Sequence, residues 1–166
     1  MHEYQYDNPA LELLTLLDAQ GLTVATAESC TGGNIAHLIT SIPGSSSAMM
    51  GGVVAYSNQV KISILGVNAA DIERYGAVSI PVVEQMAQGA QRAIGVQIAM
   101  ATSGIAGPGG ATPDKPVGTV CIAVATTHEV ISQTCHFDGN RASVIEQASK
   151  KAIAMAIQAI SQKDNH

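Results

Sequence analysis

Two short segments of the sequence carry a hydroxyl and an amine that could form a catalytic pair. Ser29 lies in AESCTGG at 27–33, and Lys61 ends a second glycine-containing segment, GGVVAYSNQVK at 51–61. A serine hydroxyl is a poor nucleophile until a base removes its proton, and a lysine can do this if its pKa falls from about 10.4 towards 7 or 8. Burial among few charges lowers a lysine pKa in this way. Tyr56, between the two, could relay the proton or orient the amine.

Each of these residues also has a purely structural interpretation. Ser29 or Thr31 could cap a helix, and Lys61 and Tyr56 could be a surface lysine and a half-buried tyrosine. Cys30 is a rival nucleophile, because a thiol at a helix N-terminus has a depressed pKa. A catalytic cysteine normally needs a histidine base, however, and no histidine lies in a neighbouring motif, which favours a packing role for Cys30. Backbone N–H groups at this junction could hold an anion or an oxyanion.

A third segment, SGIAGPGGATPDKP at 103–116, predicts a long functional loop. Its glycines are in the wrong order for a dinucleotide-binding fingerprint, and no helix follows it. Ser103 and Gly104 could donate backbone N–H groups to a substrate. Arg141, at the start of the last helix, could hold a phosphate bidentately or could be an exposed charge at a helix end.

The elements that must position these residues follow from apolar periodicity and turn signals. Asn8 and Ser79 are predicted as helix caps, and SVIE at 143–146 as a possible capping box. The pattern predicts one domain over residues 1–166, a three-layer α/β/α sandwich with a mixed sheet of about five strands. The predicted helices are 8–20, 31–42, 58–65, 68–75, 79–94 and 140–162, and the predicted strands are 22–27, 51–56, 97–102, 118–126 and 130–137. The chemical segments lie at the carboxyl ends of strands, where open α/β sheets bind ligands.

Composition excludes several classes of protein. The 166 residues carry a net charge of −5, with 46% apolar, 13% charged and 3% aromatic residues, which excludes a disordered chain. Eight Lys and Arg against thirteen acidic residues leave no basic surface for nucleic acid. The sequence has no signal-peptide pattern and no apolar run long enough to span a membrane, so we expect a cytoplasmic protein. Exposed apolar residues in a charge-poor chain favour a homo-oligomer, with a dimer preferred.

The cysteine and histidine pattern predicts no metal site. The three cysteines form an odd set without CxxC spacing, and the five histidines are scattered. This arrangement is typical of free thiols in a reducing compartment.

Several motifs in a fixed order resemble the C-terminal domain of the CinA competence/damage-inducible family. They are TAESCTGG at 26–33, GGVVAYSN at 51–58 with Lys61, GAVS at 76–79, SGIAGPGG at 103–110 and KPVGTV at 115–120. The resemblance covers residues 8–160 and implies an α/β/α fold. It also implies hydrolysis of the carboxamide of nicotinamide mononucleotide to nicotinate mononucleotide and ammonia, in pyridine-nucleotide salvage and without a metal or organic cofactor. The family's serine nucleophile, tyrosine and lysine match Ser29, Tyr56 and Lys61.

Around this centre we expect the mononucleotide to be bound by Glu28, Cys30, Thr31, Gly32, Gly33, Ser103, Gly104, Gly107 and Arg141. The sequence departs from the family near the last helix, where members usually have Gly-Asp-Arg and a second arginine four residues on. This chain has GNR at 139–141 and Ile145. If those groups hold substrate phosphate, substrate affinity and identity change, so a non-catalytic nucleotide-binding module and an amidase for another small amide are alternatives. We expect the N-terminal domain of full-length members, with its nucleotide-pyrophosphatase chemistry, to be absent.

Overall fold

A computed structural model of the chain describes residues 8–161. The helices are α1 Ala10–Gln20, α2 Asn34–Thr40, α3 Asn58–Ser63, α4 Ala69–Tyr75, α5 Ile80–Ala90 and α6 Arg141–Ser161. A short 3-10 turn covers Ser45–Ser47, and a π-helical turn, Gln91–Gly95, continues α5. The strands are β1 Val24–Glu28, β2 Met49–Val54, β3 Ile98–Gly104, β4 Thr119–Ala125 and β5 Val130–His136. The predicted end of the last helix, Gln162, and both ends of the predicted 1–166 domain lie outside the described residues.

The five strands form one mixed sheet in the order β2-β1-β3-β4-β5. The first three strands are parallel, whereas β4 pairs antiparallel with both β3 and β5. Every residue of β1 and β4 is buried, as expected for central strands covered on both faces. The predicted mixed sheet is confirmed.

Two separate apolar cores lie on the two faces of this sheet. The first core joins α1, α2 and α6 to one face and includes Leu13, Ile35 and Ile153. The second core joins α5 and the segments around α3 and α4 to the other face and includes Leu65 and Met86. Helices therefore cover both faces, and the predicted three-layer α/β/α sandwich is confirmed.

Of the three predicted capping features, the structure confirms Asn8, places Ser79 at a cap position without a side-chain capping bond, and contradicts the capping box. Asn8 Oδ1 accepts the Ala10 N–H at 3.0 Å, which confirms Asn8 as a cap of α1. Ser79 is at the predicted N-cap position of α5, with extended backbone, but its hydroxyl donates to the Gly76 carbonyl at 2.7 Å and makes no capping hydrogen bond to the helix. The predicted capping box at 143–146 is wrong. Helix α6 already begins at Arg141, and Asn140 Oδ1 accepts the Ser143 N–H at 2.9 Å.

Candidate active site

Ser29 directly follows β1 at the carboxyl edge of the parallel strands. Its backbone N–H donates to the Thr102 carbonyl of β3 at 3.0 Å, which extends the β1–β3 ladder by one residue. The chain then turns through Gly32 and Gly33, whose φ angles are 60° and 103°. Because L side chains rarely adopt positive φ, these glycines allow the turn to close. Helix α2 consequently begins at Asn34 and not at the predicted Thr31.

Lys61 reaches Ser29 from helix α3, which follows the end of β2. Its Nζ donates to Ser29 Oγ at 3.0 Å and to the carbonyl oxygens of Ala55 and Tyr56 at 2.8 and 3.2 Å. Lys61 is only 1% exposed, and within residues 8–161 no carboxylate forms an ion pair with it. Burial lowers the pKa of Lys61 below its usual 10.5. A buried lysine without a carboxylate partner is poised to lose its proton.

Within residues 8–161, the Tyr56 hydroxyl makes no hydrogen bond to Ser29 or Lys61. Tyr56 is 60% exposed, and its hydroxyl accepts a hydrogen bond from Arg141 Nη2 at 3.1 Å. Arg141 Nη1 also donates to the Gly107 carbonyl at 2.8 Å. In the structure, therefore, Lys61 is oriented by the backbone carbonyl of Tyr56 and not by its phenol.

A cavity of about 240 Å³ opens above Ser29. Six of the residues proposed from the sequence line it: Ser29, Cys30, Tyr56, Gly104, Gly107 and Arg141. Four further residues of the glycine-rich loop, Ile105, Ala106, Gly109 and Gly110, also line it and were not singled out from the sequence. The length of the loop was the signal that could have identified them. Lys61 does not line the cavity and is connected to it through its contact with Ser29.

Five residues predicted to contact substrate do not line this cavity: Glu28, Thr31, Gly32, Gly33 and Ser103. Glu28 shows the physical reason most clearly. Its carboxylate is 1% exposed and accepts hydrogen bonds from the N–H groups of Ile35 and Ala36 at 2.8 and 3.1 Å. It is therefore engaged by the start of α2 and not directed at a ligand.

Thr102 is a site residue that the sequence did not indicate. Besides accepting the Ser29 N–H through its carbonyl, it places its hydroxyl oxygen 2.8 Å from Thr31 Oγ1. Its side chain is fully buried, at 0% exposure. As the last residue of a predicted strand it carried no signal except its position next to the SGIAG loop.

The Cys30 thiol lies beside Ser29 in an environment that opposes ionisation. Burial, and to a smaller degree the charge of Glu28, raise the pKa of Cys30 to about 12. The depressed pKa expected of a thiol at a helix start is therefore wrong for this residue. Cys30 is a neutral thiol at physiological pH, as its predicted packing role requires.

The GAVS and KPVGTV motifs meet at a second cavity, of about 370 Å³, whose lining does not include Ser29 or Lys61. Lys115 Nζ of the second motif donates to the carbonyl of Tyr75, the residue before the first motif, at 2.8 Å. Within residues 8–161, no cluster of three or more His, Cys, Asp or Glu side chains is arranged to hold a metal ion. None of the described helices is long and apolar enough to cross a membrane.

Fold and site together define a three-layer α/β/α protein with a serine–lysine pair at the carboxyl edge of its parallel strands. The family model for the CinA C-terminal domain matches residues 7–160, and the chain belongs to this family.

Relatives within the family carry two kinds of name. The chain is 57% identical over 113 residues to the nicotinamide-nucleotide amidohydrolase PncC of Shewanella oneidensis, covering 68% of this chain and 27% of that protein. It is 54% identical over 124 residues to a CinA-like protein of Shewanella sp. strain ANA-3, covering 75% of this chain and 29% of that one. The chain thus spans less than a third of the length of these curated relatives.

Solved structures agree with the observed fold. The competence damage-inducible protein A of Klebsiella pneumoniae superposes with a TM-score of 0.90 at 32% identity, covering 93% of this chain and 96% of that one. The competence/damage inducible protein of Agrobacterium tumefaciens superposes with a TM-score of 0.89 at 37% identity, covering 93% and 94%.

Proposed function

We propose that the chain is an amidohydrolase that converts nicotinamide mononucleotide to nicotinate mononucleotide and ammonia, with Ser29 as nucleophile and Lys61 as base. The observation that carries this proposal is the 3.0 Å contact between Lys61 Nζ and Ser29 Oγ, made by a lysine that is 1% exposed. The name of the Shewanella oneidensis relative supports the choice of substrate.

The three neighbours of Lys61 Nζ support its role as a base. A neutral amine has two N–H donors and one lone pair. The carbonyl oxygens of Ala55 and Tyr56 can only accept, so they take the two N–H groups. The remaining neighbour, the Ser29 hydroxyl, is the only one of the three that can donate. Once Lys61 is neutral, its lone pair therefore faces the Ser29 proton.

The proposed reaction has two halves. Lys61 accepts the Ser29 proton as Oγ attacks the carboxamide carbon, and the carbonyl oxygen becomes an oxyanion. The intermediate collapses when the Lys61 ammonium protonates the nitrogen, the C–N bond breaks and ammonia leaves an acyl-Ser29 ester. Water then attacks the ester with Lys61 as base, releasing the carboxylate and restoring the Ser29 hydroxyl.

Gly104 is the best-placed backbone donor for the oxyanion. The next residue, Ile105, directs its N–H to Thr119 on the β4 side at 2.8 Å. Because successive N–H groups along a strand alternate sides, the Gly104 N–H is directed to the β1 side. Gly104 lies two residues beyond Thr102, the last β3 residue paired with β1, so no β1 residue lies opposite it. The Ser29 N–H cannot serve, because Thr102 already accepts it.

Arg141 is suited to hold the phosphate of the mononucleotide. It lines the cavity, and its two hydrogen bonds to Gly107 and Tyr56 use two of the five guanidinium N–H groups. The other three have no partner within the described part of the chain. A phosphate at this position would receive charge-assisted hydrogen bonds.

The test is ammonia release from nicotinamide mononucleotide by the wild type, Ser29→Ala and a remote control, Ser47→Ala. Ser47 is exposed, its hydroxyl contacts Asp18, and it precedes the amino end of β2, at the opposite edge of the sheet from Ser29. We expect Ser29→Ala to lose turnover with an unchanged circular dichroism spectrum, and Ser47→Ala to keep it. Undiminished turnover in Ser29→Ala would overturn the mechanism.

A panel of pyridine nucleotides and simple amides would identify the substrate. Release of ammonia from another amide alone would favour the second amidase interpretation. Tight mononucleotide binding by calorimetry without ammonia release from any amide would instead indicate a binding module.

A further inference from the structure

We infer that Glu28 is a positioning residue for the nucleophile, and that it acts through hydrogen bonds that link it by way of Thr31 to Thr102, whose carbonyl holds the Ser29 N–H. This inference rests on the proposed role of Ser29. It replaces the sequence-based expectation that Glu28 contacts the substrate.

The carboxylate of Glu28 is a buried anchor for the turn that carries Ser29. Oε1 accepts from Thr31 Oγ1 at 2.6 Å and from the Ile35 N–H at 2.8 Å, and Oε2 accepts from the Ala36 N–H at 3.1 Å. These donors lie on the far side of the turn from β1. The Glu28 side chain therefore closes the loop between the end of β1 and the start of α2, with Ser29 at its beginning.

The number of protons available for donation fixes the direction of these hydrogen bonds. A carboxylate only accepts, so the single proton of the Thr31 hydroxyl is donated to Glu28. Thr31 Oγ1, 2.8 Å from Thr102 Oγ1, must then accept the proton of the Thr102 hydroxyl. The hydrogen bonds thus run from the Thr102 hydroxyl through Thr31 to Glu28.

Both ends of this series of hydrogen bonds hold the backbone at Ser29. Glu28, the accepting end, directly precedes Ser29, and the carbonyl of Thr102, at the donating end, accepts the Ser29 N–H at 3.0 Å. The backbone at the nucleophile is therefore tied to two buried groups, Thr102 and Glu28. Only the Ser29 hydroxyl is left to face Lys61 and the cavity.

Glu28 can influence the rate only by placing Ser29 Oγ, because it does not line the cavity. Misplacing a reacting group by 1 Å costs about 100-fold in rate. Replacing the carboxylate by a neutral amide changes the group that accepts the last of these hydrogen bonds. In Glu28→Gln, an amide group replaces one acceptor and presents N–H donors to Thr31, Ile35 or Ala36.

The test compares Glu28→Gln with a matched cap variant that does not line the cavity, Asn68→Ala. Asn68 Oδ1 caps α4 by accepting the Ala70 N–H at 2.8 Å, so Asn68→Ala also removes a side-chain cap from a short helix. Steady-state ammonia release gives kcat and KM, and a fluorophosphonate probe gives the rate of covalent labelling of Ser29 without any substrate. We expect Glu28→Gln to lose about 10- to 100-fold in kcat and in labelling rate, with KM within about threefold. Asn68→Ala should keep both rates.

A second pair of variants covers the case in which Glu28→Gln does not fold. Thr31→Val removes the link between Thr102 and Glu28 but leaves the carboxylate on the helix N–H groups, whereas Thr31→Ser keeps the hydroxyl. We expect the labelling rate to fall in Thr31→Val and to be recovered in large part by Thr31→Ser.

The outcomes separate this inference from the proposed function. If wild-type Ser29 is neither labelled nor active, the proposed function fails and this inference fails with it. If the wild type is labelled and active, wild-type rates in folded Glu28→Gln or in Thr31→Val would overturn the positioning role alone. A rise in KM at unchanged kcat and labelling rate would also overturn it, because that pattern indicates a substrate contact.

Discussion

Replacing Lys61 by methionine separates its chemical role from its structural one. Lys61→Met keeps an unbranched side chain of similar length in a position that is 1% exposed, and it removes only the amine that contacts Ser29. A general base contributes about 10²- to 10⁴-fold to a rate, which corresponds to about 3 to 5 kcal/mol of barrier. We expect a loss of this size in kcat/KM for ammonia release.

The absolute stability of Lys61→Met is a poor readout, because two effects oppose each other. Removing a buried amine relieves its desolvation, but the carbonyl oxygens of Ala55 and Tyr56 lose their donor. An unsatisfied buried acceptor costs about 1 to 3 kcal/mol, which opposes the gain from relieving the desolvation of the amine. The informative quantity is the difference in the free energy of unfolding between wild type and Lys61→Met, measured as a function of pH.

The direction of that pH dependence follows from the lowered pKa of Lys61. Between its folded pKa and the unfolded value of about 10.5, the unfolded chain binds more protons than the folded one. The free energy of unfolding of the wild type should therefore rise with pH relative to Lys61→Met, by up to about 1.4 kcal/mol per pH unit. Below the folded pKa the difference should be constant.

Urea denaturation at a series of pH values measures this difference in the free energy of unfolding. The contributions of titrating groups that both proteins share cancel in the difference. The pH at which the difference begins to rise should agree with the pH at which wild-type kcat/KM increases, since both report deprotonation of Lys61. Parallel stability curves for the two proteins would refute the lowered pKa. Wild-type turnover in Lys61→Met would refute its role as the base.

Three further predictions concern other residues that line the cavity. Iodoacetamide at pH 8 should modify Cys30 far more slowly than free cysteine, because a pKa of about 12 leaves about one thiol in ten thousand ionised. Peptide mapping by mass spectrometry measures the rate of modification, and equal rates for Cys30 and free cysteine would contradict the raised pKa. Arg141→Met should raise KM for nicotinamide mononucleotide about 10- to 100-fold. The kinetics with nicotinamide riboside, which lacks the phosphate, should be nearly unchanged. Equal effects on the two substrates would exclude a phosphate contact. Gly104→Ala should lower the free energy of unfolding by about 1 to 3 kcal/mol, because a Cβ there would lie 2.7 Å from the Thr119 carbonyl oxygen. Gly109→Ala is its control, since a Cβ at that position meets nothing within 4 Å, and equal denaturation midpoints for the two variants would contradict the crowding at Gly104.

The order of helices and strands was predictable because each element has its own local signal. Gly21 ends α1, and Pro43 with the glycine and serines after it separates α2 from β2. The two-residue shift of β2, from a predicted 51–56 to Met49–Val54, reflects pairing that no local pattern contains. Its register is set by β1, where Val24 pairs with Met49 and Glu28 with Val54.

The proximity of Ser29 and Lys61 was predictable only in outline. Both residues follow parallel strands that are neighbours in the sheet, so it could be inferred that they lie at the same edge of the sheet. The direction of the Tyr56 side chain could not be inferred, because the hydroxyl bonds Arg141, which is distant in the sequence. The engagement of Glu28 by Ile35 and Ala36 likewise depends on the turn formed by Gly32 and Gly33.

The two members of the proposed catalytic pair belong to opposite layers of the sandwich. Ser29 is joined to α2, which packs in the first core, whereas Lys61 lies on α3, whose Val60 packs against the second core. The 3.0 Å gap between Oγ and Nζ is therefore spanned by groups from both sides of the sheet. The rate of turnover therefore depends on the relative position of the two helical layers. A small displacement of either layer would lower activity without changing the secondary structure or the circular dichroism spectrum.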